Sequence, residues 1–159
     1  MNARLLATPL VATTLLLSTL GCAKKDDATP ASTSNTGSYK LNGRTVNCQA
    51  RTYFKSYASN SGGPGTDVLS VILTTNPQPA AGKEEFAINF EKASTQPTTA
   101  YRPTTIHLVD SDYPQGLPMR NDLTTLSTTS SSVSGTFAAT GTNTPGTSIT
   151  AGVFTDVSL

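Results

Sequence analysis

The sequence predicts an all-β fold, a single antiparallel sandwich or open barrel of about seven or eight short strands. The chain is rich in threonine, and β-branched side chains lose rotational freedom in a helix but pack well in a strand. Turn signals interrupt the apolar segments roughly every 8–12 residues, and no segment has a convincing helical period. The length of 159 residues fits one domain.

The charge of the chain is nearly balanced. Eleven Lys and Arg residues stand against ten Asp and Glu, and loss of Arg4 with an amino-terminal leader would leave ten of each. Charged residues make up 13% of the chain, about half the usual share. Such a chain has no strongly basic or acidic field, so we expect no nucleic-acid partner.

The first predicted hairpin turns at Asn42-Gly43, the strongest short-range hairpin signal, and the domain is expected to begin at Tyr39. A loosely alternating strand follows over 45–57. One face of this strand carries Val46, Cys48, Ala50 and Phe54, and the other carries Arg51, Tyr53 and Tyr57.

The middle of the chain predicts a buried antiparallel hairpin. Residues 67–75 are apolar on both faces and predict a central strand, whereas 76–82, with two prolines and a glycine, predict a turn. Residues 84–92 alternate most clearly, which predicts a strand with one dry and one wet face. The dry face carries Phe86, Ile88 and Phe90.

The last third predicts four more strands, over 101–110, 123–127, 132–141 and 148–159, with a loop over 110–120. Gly135 indicates a close approach or a bulge, and Gly152 indicates a second bulge because Phe154 breaks the alternation. The apolar face of the last strand is expected to hold Ile149, Ala151, Val153 and Val157.

Residues 1–21 have the plan of a secretory signal peptide, with a short basic start and an apolar run that contains no acidic residue. The alternative is an uncut membrane helix, which needs roughly 20 mostly apolar residues. The apolar run over 5–20 is shorter and is diluted by threonine, serine and proline. We therefore expect a signal peptide that is removed.

The apolar run ends in Ser-Thr-Leu-Gly-Cys at residues 18–22. This ending resembles the lipobox of bacterial lipoproteins, in which lipid is attached to the cysteine sulfur and the preceding peptide bond is cut. The resemblance implies lipidation of Cys22, anchorage to a membrane, and a flexible tether over 22–38 before a single β domain over 39–159. Simple cleavage without lipid is the alternative.

Two further stretches resemble lipoproteins of the Bacteroidota. Lys25, Asp26 and Asp27 are similar to their surface-export signal, although a charge cluster that keeps the tether extended is an equal alternative. Residues 133–137 and 149–154 look like a carboxyl-terminal hairpin of small Bacteroidota outer-membrane lipoproteins of unknown function. The resemblance implies a fold and an outer-membrane location, and it implies no catalytic residue. If Lys25, Asp26 and Asp27 act as an export signal, the protein is expected at the cell surface.

Cys48 has no partner within the chain if the sulfur of Cys22 is acylated, so no intrachain disulfide is expected. We expect Cys48 to be a small buried residue of a strand, and the alternative is an intermolecular bridge or a reactive thiol.

No arrangement of residues predicts a catalytic site, a metal site or a cofactor. His107 is the only histidine and lies between two apolar strand residues, and no Gly-x-Ser-x-Gly sequence is present. Asp110-Ser111-Asp112 could contribute to a calcium site, but aspartate at a strand end more often forms a turn. Glu84 and Glu85 are adjacent carboxylates, but neighbouring residues of a strand face opposite sides, so the two are not expected to act as a catalytic pair. Four tyrosines could contact a glycan if exposed: Tyr53, Tyr57, Tyr101 and Tyr113.

The sequence therefore predicts a lipid-anchored outer-membrane protein without enzymatic activity, acting as a binding, adhesion or assembly module with a protein or glycan partner. The alternative is a small β-barrel carrier of an apolar ligand. An empty interior lined by Phe86, Ile88, Phe90 and Phe137 would favour the carrier, whereas a filled core with a flat sheet face would favour the binding module.

Overall fold

The computed structural model describes residues 34–79 and 82–159, which form eight strands. Cys22, Lys25, Asp26, Asp27 and the predicted signal peptide lie outside the described residues. The strands are β1 (Thr36–Leu41), β2 (Arg44–Tyr57), β3 (Thr66–Thr75), β4 (Glu85–Ala93), β5 (Arg102–Val109), β6 (Leu117–Thr128), β7 (Ser132–Gly141) and β8 (Ser148–Ser158), with a 3-10 turn at Thr98–Ala100. Within these residues, no helix is long and apolar enough to span a membrane.

The eight strands form one closed antiparallel barrel in chain order. Each strand pairs with the next, and β1 pairs with β8 to close the cylinder. The predicted all-β class and the number of strands are confirmed. Of the two predicted architectures the barrel is observed rather than the sandwich, and pairing of β1 with β8 makes it closed rather than open.

The barrel interior is filled by side chains, as eight-stranded barrels allow. The predicted dry face of β4, with Phe86, Ile88 and Phe90, is fully buried. The rings of Phe86 and Phe137 stack with their centroids 4.8 Å apart, and Tyr39 lies 5.6 Å from Phe86. This aromatic cluster occupies the space in which an interior ligand would lie.

Two glycines on β7 and β8 allow the aromatic cluster to form. Gly135 pairs with Phe154 across the strands, and Phe137 pairs with Gly152. A Cβ atom on Gly135 would lie 2.6 Å from Cζ of Phe154, and one on Gly152 would lie 2.6 Å from Cζ of Phe137. Each ring thus lies over the glycine opposite it, as the predicted close approach at Gly135 requires.

Strand β8 corrects the predicted face of its apolar residues. Ala151 and Asp156 have positive φ angles of 50° and 51°, and the register of β8 shifts along its length. Each irregularity exchanges the inner and outer faces. Phe154 and Val157 are therefore buried, whereas Ala151 and Val153, which were expected on the inner face, are exposed.

Strand β6 is longer than predicted. It begins at Leu117, so residues 117–120 belong to a strand and not to the predicted loop. Leu117 and Met119 are buried on the inner face, and Pro118 between them lies on the outer face opposite His107. The proline was interpreted as a loop signal, but it occupies an outward strand position.

Strand β1 begins at Thr36, three residues before the expected start of the domain at Tyr39. Residues 36–38 of the predicted tether are therefore part of the barrel. Strand β3 is also less uniformly buried than predicted, because Val68 and Ile72 face outward and are only half-buried.

Candidate functional site

The antiparallel order places four hairpin connections at one end of the barrel. We call this the hairpin end, and the opposite end, where the chain finishes at Leu159, the Leu159 end. A cleft of about 470 Å³ opens at the hairpin end. Residues from all four connections line it: Leu41, Asn42, Arg44, Pro79, Glu84, Asp110, Ser111, Asp112, Tyr113 and Thr147.

The β1–β2 turn forms one wall of the cleft. Asn42 and Gly43 have positive φ angles of 50° and 85°, the conformation of the tight turn that the Asn-Gly pair predicts. The Asn42 N–H donates to the Ser148 carbonyl at 2.9 Å, and Asn42 Oδ1 accepts from the Ser148 N–H at 2.7 Å. These two bonds join the turn to the beginning of β8 and hold the wall in place.

The floor of the cleft is a buried carboxylate. Glu84 is 4% exposed, and Arg44 Nη2 lies 3.2 Å and 3.1 Å from its two oxygens. The Tyr39 hydroxyl donates to Glu84 Oε1 at 3.3 Å. Burial, with the nearby Cys48 and Glu84, raises the pKa of Tyr39, so this hydroxyl stays a neutral donor. The Arg44 side chain is more than half exposed, so its remaining N–H groups face the cleft opening.

The β5–β6 loop forms the opposite wall. Asp110 Oδ1 accepts hydrogen bonds from the N–H groups of Asp112 and Tyr113, each at 2.9 Å. This is the turn-forming role of aspartate that was weighed against a calcium site. In residues 34–79 and 82–159, no group of three His, Cys, Asp or Glu side chains is arranged to hold a metal ion. The loop therefore presents Ser111, Asp112 and the Tyr113 ring to the cleft.

The predicted glycan-contacting tyrosines do not share one surface. Tyr113 lines the cleft, and Tyr101 is buried near the opposite end. Tyr53 and Tyr57 are exposed on β2. The condition of exposure is met by Tyr53 and Tyr57 and not by Tyr101, whose ring lies 5.4 Å from Lys92 Nζ.

The remaining candidate residues lie outside the cleft or have structural roles. His107 is exposed in the middle of β5. Glu85 faces the outer wall and pairs with Lys83 at 2.9 Å, on the other side of the strand from Glu84, as expected. Cys48 is a free, buried thiol, and burial together with the nearby Glu84 raises its pKa to about 12.

A second cavity, of about 270 Å³, opens at the Leu159 end and has an apolar lining. We call it the mouth. It is lined by Phe54, Leu69, Thr98, Tyr101, Thr128 and Leu159. Phe54 lies on the predicted inner face of β2 but is 55% exposed, because it borders the open mouth rather than the filled interior.

The cleft at the hairpin end carries the chemistry of a polar binding site. It combines carboxylates, a guanidinium group, an amide, hydroxyl groups and one tyrosine ring. No local sequence pattern indicates this set, because Arg44 and Glu84 are 40 residues apart and meet only across the barrel. No protein-family model matches the chain, and no curated protein and no solved structure gives a significant match. The cleft is therefore interpreted from its own residues.

Proposed function

We propose that the protein is a non-enzymatic binding module, anchored to the outer membrane through lipid on Cys22, that binds a polar ligand in the cleft at the hairpin end. The observation that carries this proposal is a filled barrel interior beneath an open polar cleft. A filled interior favours a surface that binds over a barrel that stores a ligand.

The direction of the chain supports this arrangement. Asn35 is hydrogen-bonded to Asp156 and Ser158, so the chain enters the barrel at the Leu159 end. An anchor on Cys22 would attach the barrel by that end. Eleven residues separate Cys22 from Ser34, so the distance between the two Cα atoms is at most about 43 Å when the segment is fully extended. The cleft would then face away from the bilayer.

The lining favours a hydroxyl-rich ligand such as a short glycan. Asp112 and Asn42 can accept hydrogen bonds from hydroxyl groups, Arg44 can donate to them, and the Tyr113 ring offers an apolar face. Because the floor carboxylate of Glu84 is neutralised by Arg44, the ligand need not carry a charge.

A glycan array probed with the full chain in mild detergent tests the ligand class. Neutralising an exposed carboxylate of the cleft with Asp112→Asn is expected to reduce binding about tenfold, the effect of one lost charge-assisted hydrogen bond. Glu91→Gln is the matched control, because Glu91 is an exposed carboxylate on β4 outside the cleft. Equal effects of the two variants, or no binding to any glycan, would count against this ligand class.

The anchor is tested separately. Cys22→Ala is expected to abolish incorporation of labelled fatty acid and to release the protein from membranes, whereas Cys48→Ala is expected to leave both unchanged. Alanine at Lys25, Asp26 and Asp27 is expected to reduce protease accessibility on intact cells. Retention of the Cys22→Ala variant in membranes would contradict the anchor, and unchanged accessibility would contradict the export role of the three charged residues.

The carrier remains a second candidate because of the apolar mouth at the Leu159 end. Phe86 and Phe137 fill the interior, so a carrier would have to hold its ligand at the mouth beside Phe54 and Leu159. Saturable displacement of an apolar dye by fatty acid, lost in a folded Leu159→Asp variant, would favour the carrier over the binding module, because Leu159 lines the mouth and is exposed.

A further inference from the structure

The charges that line the cleft at the hairpin end do not balance. Glu84 on the floor pairs with Arg44, whose Nη2 atom lies 3.1 Å from Glu84 Oε2. Asp110 and Asp112 also line the cleft, and neither carboxylate forms an ion pair with a described residue. Among the described lining residues, Arg44 is the only cation. The cleft therefore has two acidic groups that no cation of the described chain neutralises.

The two acidic groups lie together in the β5–β6 loop, which forms one wall of the cleft. Asp110 is half-buried, and its Oδ1 atom accepts from the N–H groups of Asp112 and Tyr113, each at 2.9 Å. Its Oδ2 atom and the exposed carboxylate of Asp112 accept no hydrogen bond from the described residues. One carboxylate oxygen thus holds the loop, and the other three oxygens stay available as acceptors.

The hydroxyl group of Thr147 is buried at the cleft and has no partner among the described residues. Thr147 lies directly before β8, outside the acidic loop, and is 7% exposed. Its N–H donates to the Thr144 carbonyl at 3.2 Å, and its carbonyl accepts from the Gly141 N–H at 2.9 Å. Its side chain lines the cleft but makes no hydrogen bond within the described chain. Because a buried hydroxyl group without a partner is costly, we expect a group bound in the cleft to supply the partner.

An aromatic ring lies next to the two acidic groups. Tyr113 follows Asp112 in the loop, is half-buried, and packs against the barrel core while it lines the cleft. The face of an aromatic ring attracts a cation that lies within about 6 Å of its centre. A carboxylate beside such a ring favours a charged donor over a neutral one, because both groups attract positive charge.

We propose that the glycan bound in the cleft carries a free, protonated amino group, as oligosaccharides of glucosamine do. This inference rests on the proposed function and names the ligand class within it. The ammonium group donates hydrogen bonds to Asp110 and Asp112 beside the Tyr113 ring, and a sugar hydroxyl group pairs with the hydroxyl of Thr147. The floor of the cleft is neutralised by its own ion pair, so the preference for an amine comes from the loop.

Acidic and acetylated sugars fit the same lining less well. A sugar carboxylate would meet a single cation, Arg44, which is already paired with Glu84, and it would be repelled by Asp110 and Asp112. An N-acetylated amino sugar keeps one N–H donor but loses the positive charge. It therefore gains a neutral hydrogen bond where the free amine gains a charge-assisted one.

Three disaccharides with the same linkage test the preference. They differ in one substituent of each sugar, which is an amino group in the glucosamine disaccharide, an acetamido group in the N-acetylglucosamine disaccharide and a hydroxyl group in the glucose disaccharide. Isothermal titration calorimetry uses the full chain in mild detergent at low ionic strength, where attraction between charges is screened least. We expect the glucosamine disaccharide to bind at least about tenfold more tightly than either neutral disaccharide.

Variants of the lining assign the preference to its residues. Asp110→Asn combined with Asp112→Asn removes both charges, while the asparagine at 110 keeps a side-chain oxygen for the two N–H groups that hold the loop. This double variant is expected to bind the three disaccharides with equal affinity. Thr147→Val keeps the side-chain shape and is expected to weaken binding of the glucosamine disaccharide about threefold or more. Glu91→Gln, an exposed position on β4 outside the cleft, is the control and is expected to keep the full preference.

The outcomes separate the inference from the proposed function. Glycan binding without a preference for the amine would overturn the inference and leave the proposed function standing. A preference that persists in the double variant, or that Glu91→Gln also loses, would overturn the assignment of the amine to the β5–β6 loop. Unchanged binding by Thr147→Val would overturn the pairing of its hydroxyl group with the ligand. Absence of binding to every glycan would overturn the proposed function and the inference together.

Discussion

The glycine at position 152 gives the sharpest stability prediction. In Gly152→Ala the new methyl group would overlap the ring of Phe137 and lie 2.6 Å from its Cζ atom. Favourable carbon contacts begin at about 3.5 Å, so the ring must move by roughly 1 Å. Phe137 cannot move freely, because it is stacked on Phe86 at 4.8 Å and is buried.

The expected magnitude is a difference of two terms. Forcing a buried ring out of a packed position costs about 1–3 kcal/mol. Replacing glycine by alanine where the backbone permits it stabilises the fold by about 0.4–1 kcal/mol, because alanine lowers the conformational entropy of the unfolded chain. We therefore expect Gly152→Ala to lower the free energy of unfolding by about 1–2 kcal/mol, a shift of several degrees in Tm.

The control is a glycine-to-alanine substitution at a position where no aromatic ring lies over the glycine. In Gly63→Ala the nearest atom to the new Cβ is Ser59 Oγ at 3.7 Å, which is ordinary contact. This variant is expected to be neutral or slightly more stable. Urea unfolding followed by far-ultraviolet circular dichroism compares the two, since the chain has no tryptophan. A Gly152→Ala variant as stable as Gly63→Ala would refute the reasoning.

A double-mutant cycle identifies the cause of the loss. Phe137→Leu removes the obstructing ring, so the combined variant is expected to be more stable than the sum of the two single losses predicts. Gly135→Ala is expected to behave differently, because its Cβ would also overlap the backbone carbonyl of Thr125. Trimming Phe154 to Leu should therefore fail to restore the stability of Gly135→Ala.

Three further predictions concern buried groups. Ile88→Asp is expected to abolish cooperative unfolding, because Ile88 is fully buried and an unpaired carboxylate there is costly; a urea transition like that of the parent chain would contradict this. Native Cys48 is expected to react slowly with iodoacetamide at about pH 8, because burial raises its pKa to about 12, and mass spectrometry should detect rapid labelling only in urea. The hydrogen bond from Lys92 holds the pKa of Asp67 below its usual value. The Asp67 carboxylate therefore stabilises the fold fully at any pH above the pKa of an aspartate in the unfolded chain, about 3.9. This stabilisation is lost as the pH falls through the lower pKa of Asp67 in the folded protein. Asp67→Asn should lower the urea midpoint at neutral pH and weaken its dependence on pH in that acidic range, whereas an unchanged pH profile would show that Asp67 does not contribute.

Local patterns predicted the parts of the fold that depend on neighbouring residues alone. The alternation of Phe86, Ile88 and Phe90 correctly identified the inner face of β4, and the Asn-Gly pair at 42–43 correctly identified the first turn. In β8 the same reasoning failed, because positive φ angles at Ala151 and Asp156 exchange its faces. Such angles are uncommon outside glycine, asparagine and aspartate and have no reliable sequence signal at alanine.

Other features depend on contacts between distant parts of the chain and could not be predicted. The inner face of β2 was assigned correctly to Phe54, but its exposure follows from where β1 begins. The cleft requires Arg44 and Glu84 to meet across the barrel. Closure of the barrel determines both the exposure of Phe54 and the contact between Arg44 and Glu84. Closure is a property of all eight strands rather than of any one segment.

The position of β1 between β2 and β8 has a mechanical consequence. A pulling force applied through the residues before Ser34 enters the barrel at the Leu159 end and acts along the length of β1. The force then loads the hydrogen bonds on both sides of β1 together, in shear, instead of breaking them one after another. If the cleft holds its ligand at the opposite end, tension between ligand and anchor passes through the barrel along its strands, the direction in which a sheet resists extension best.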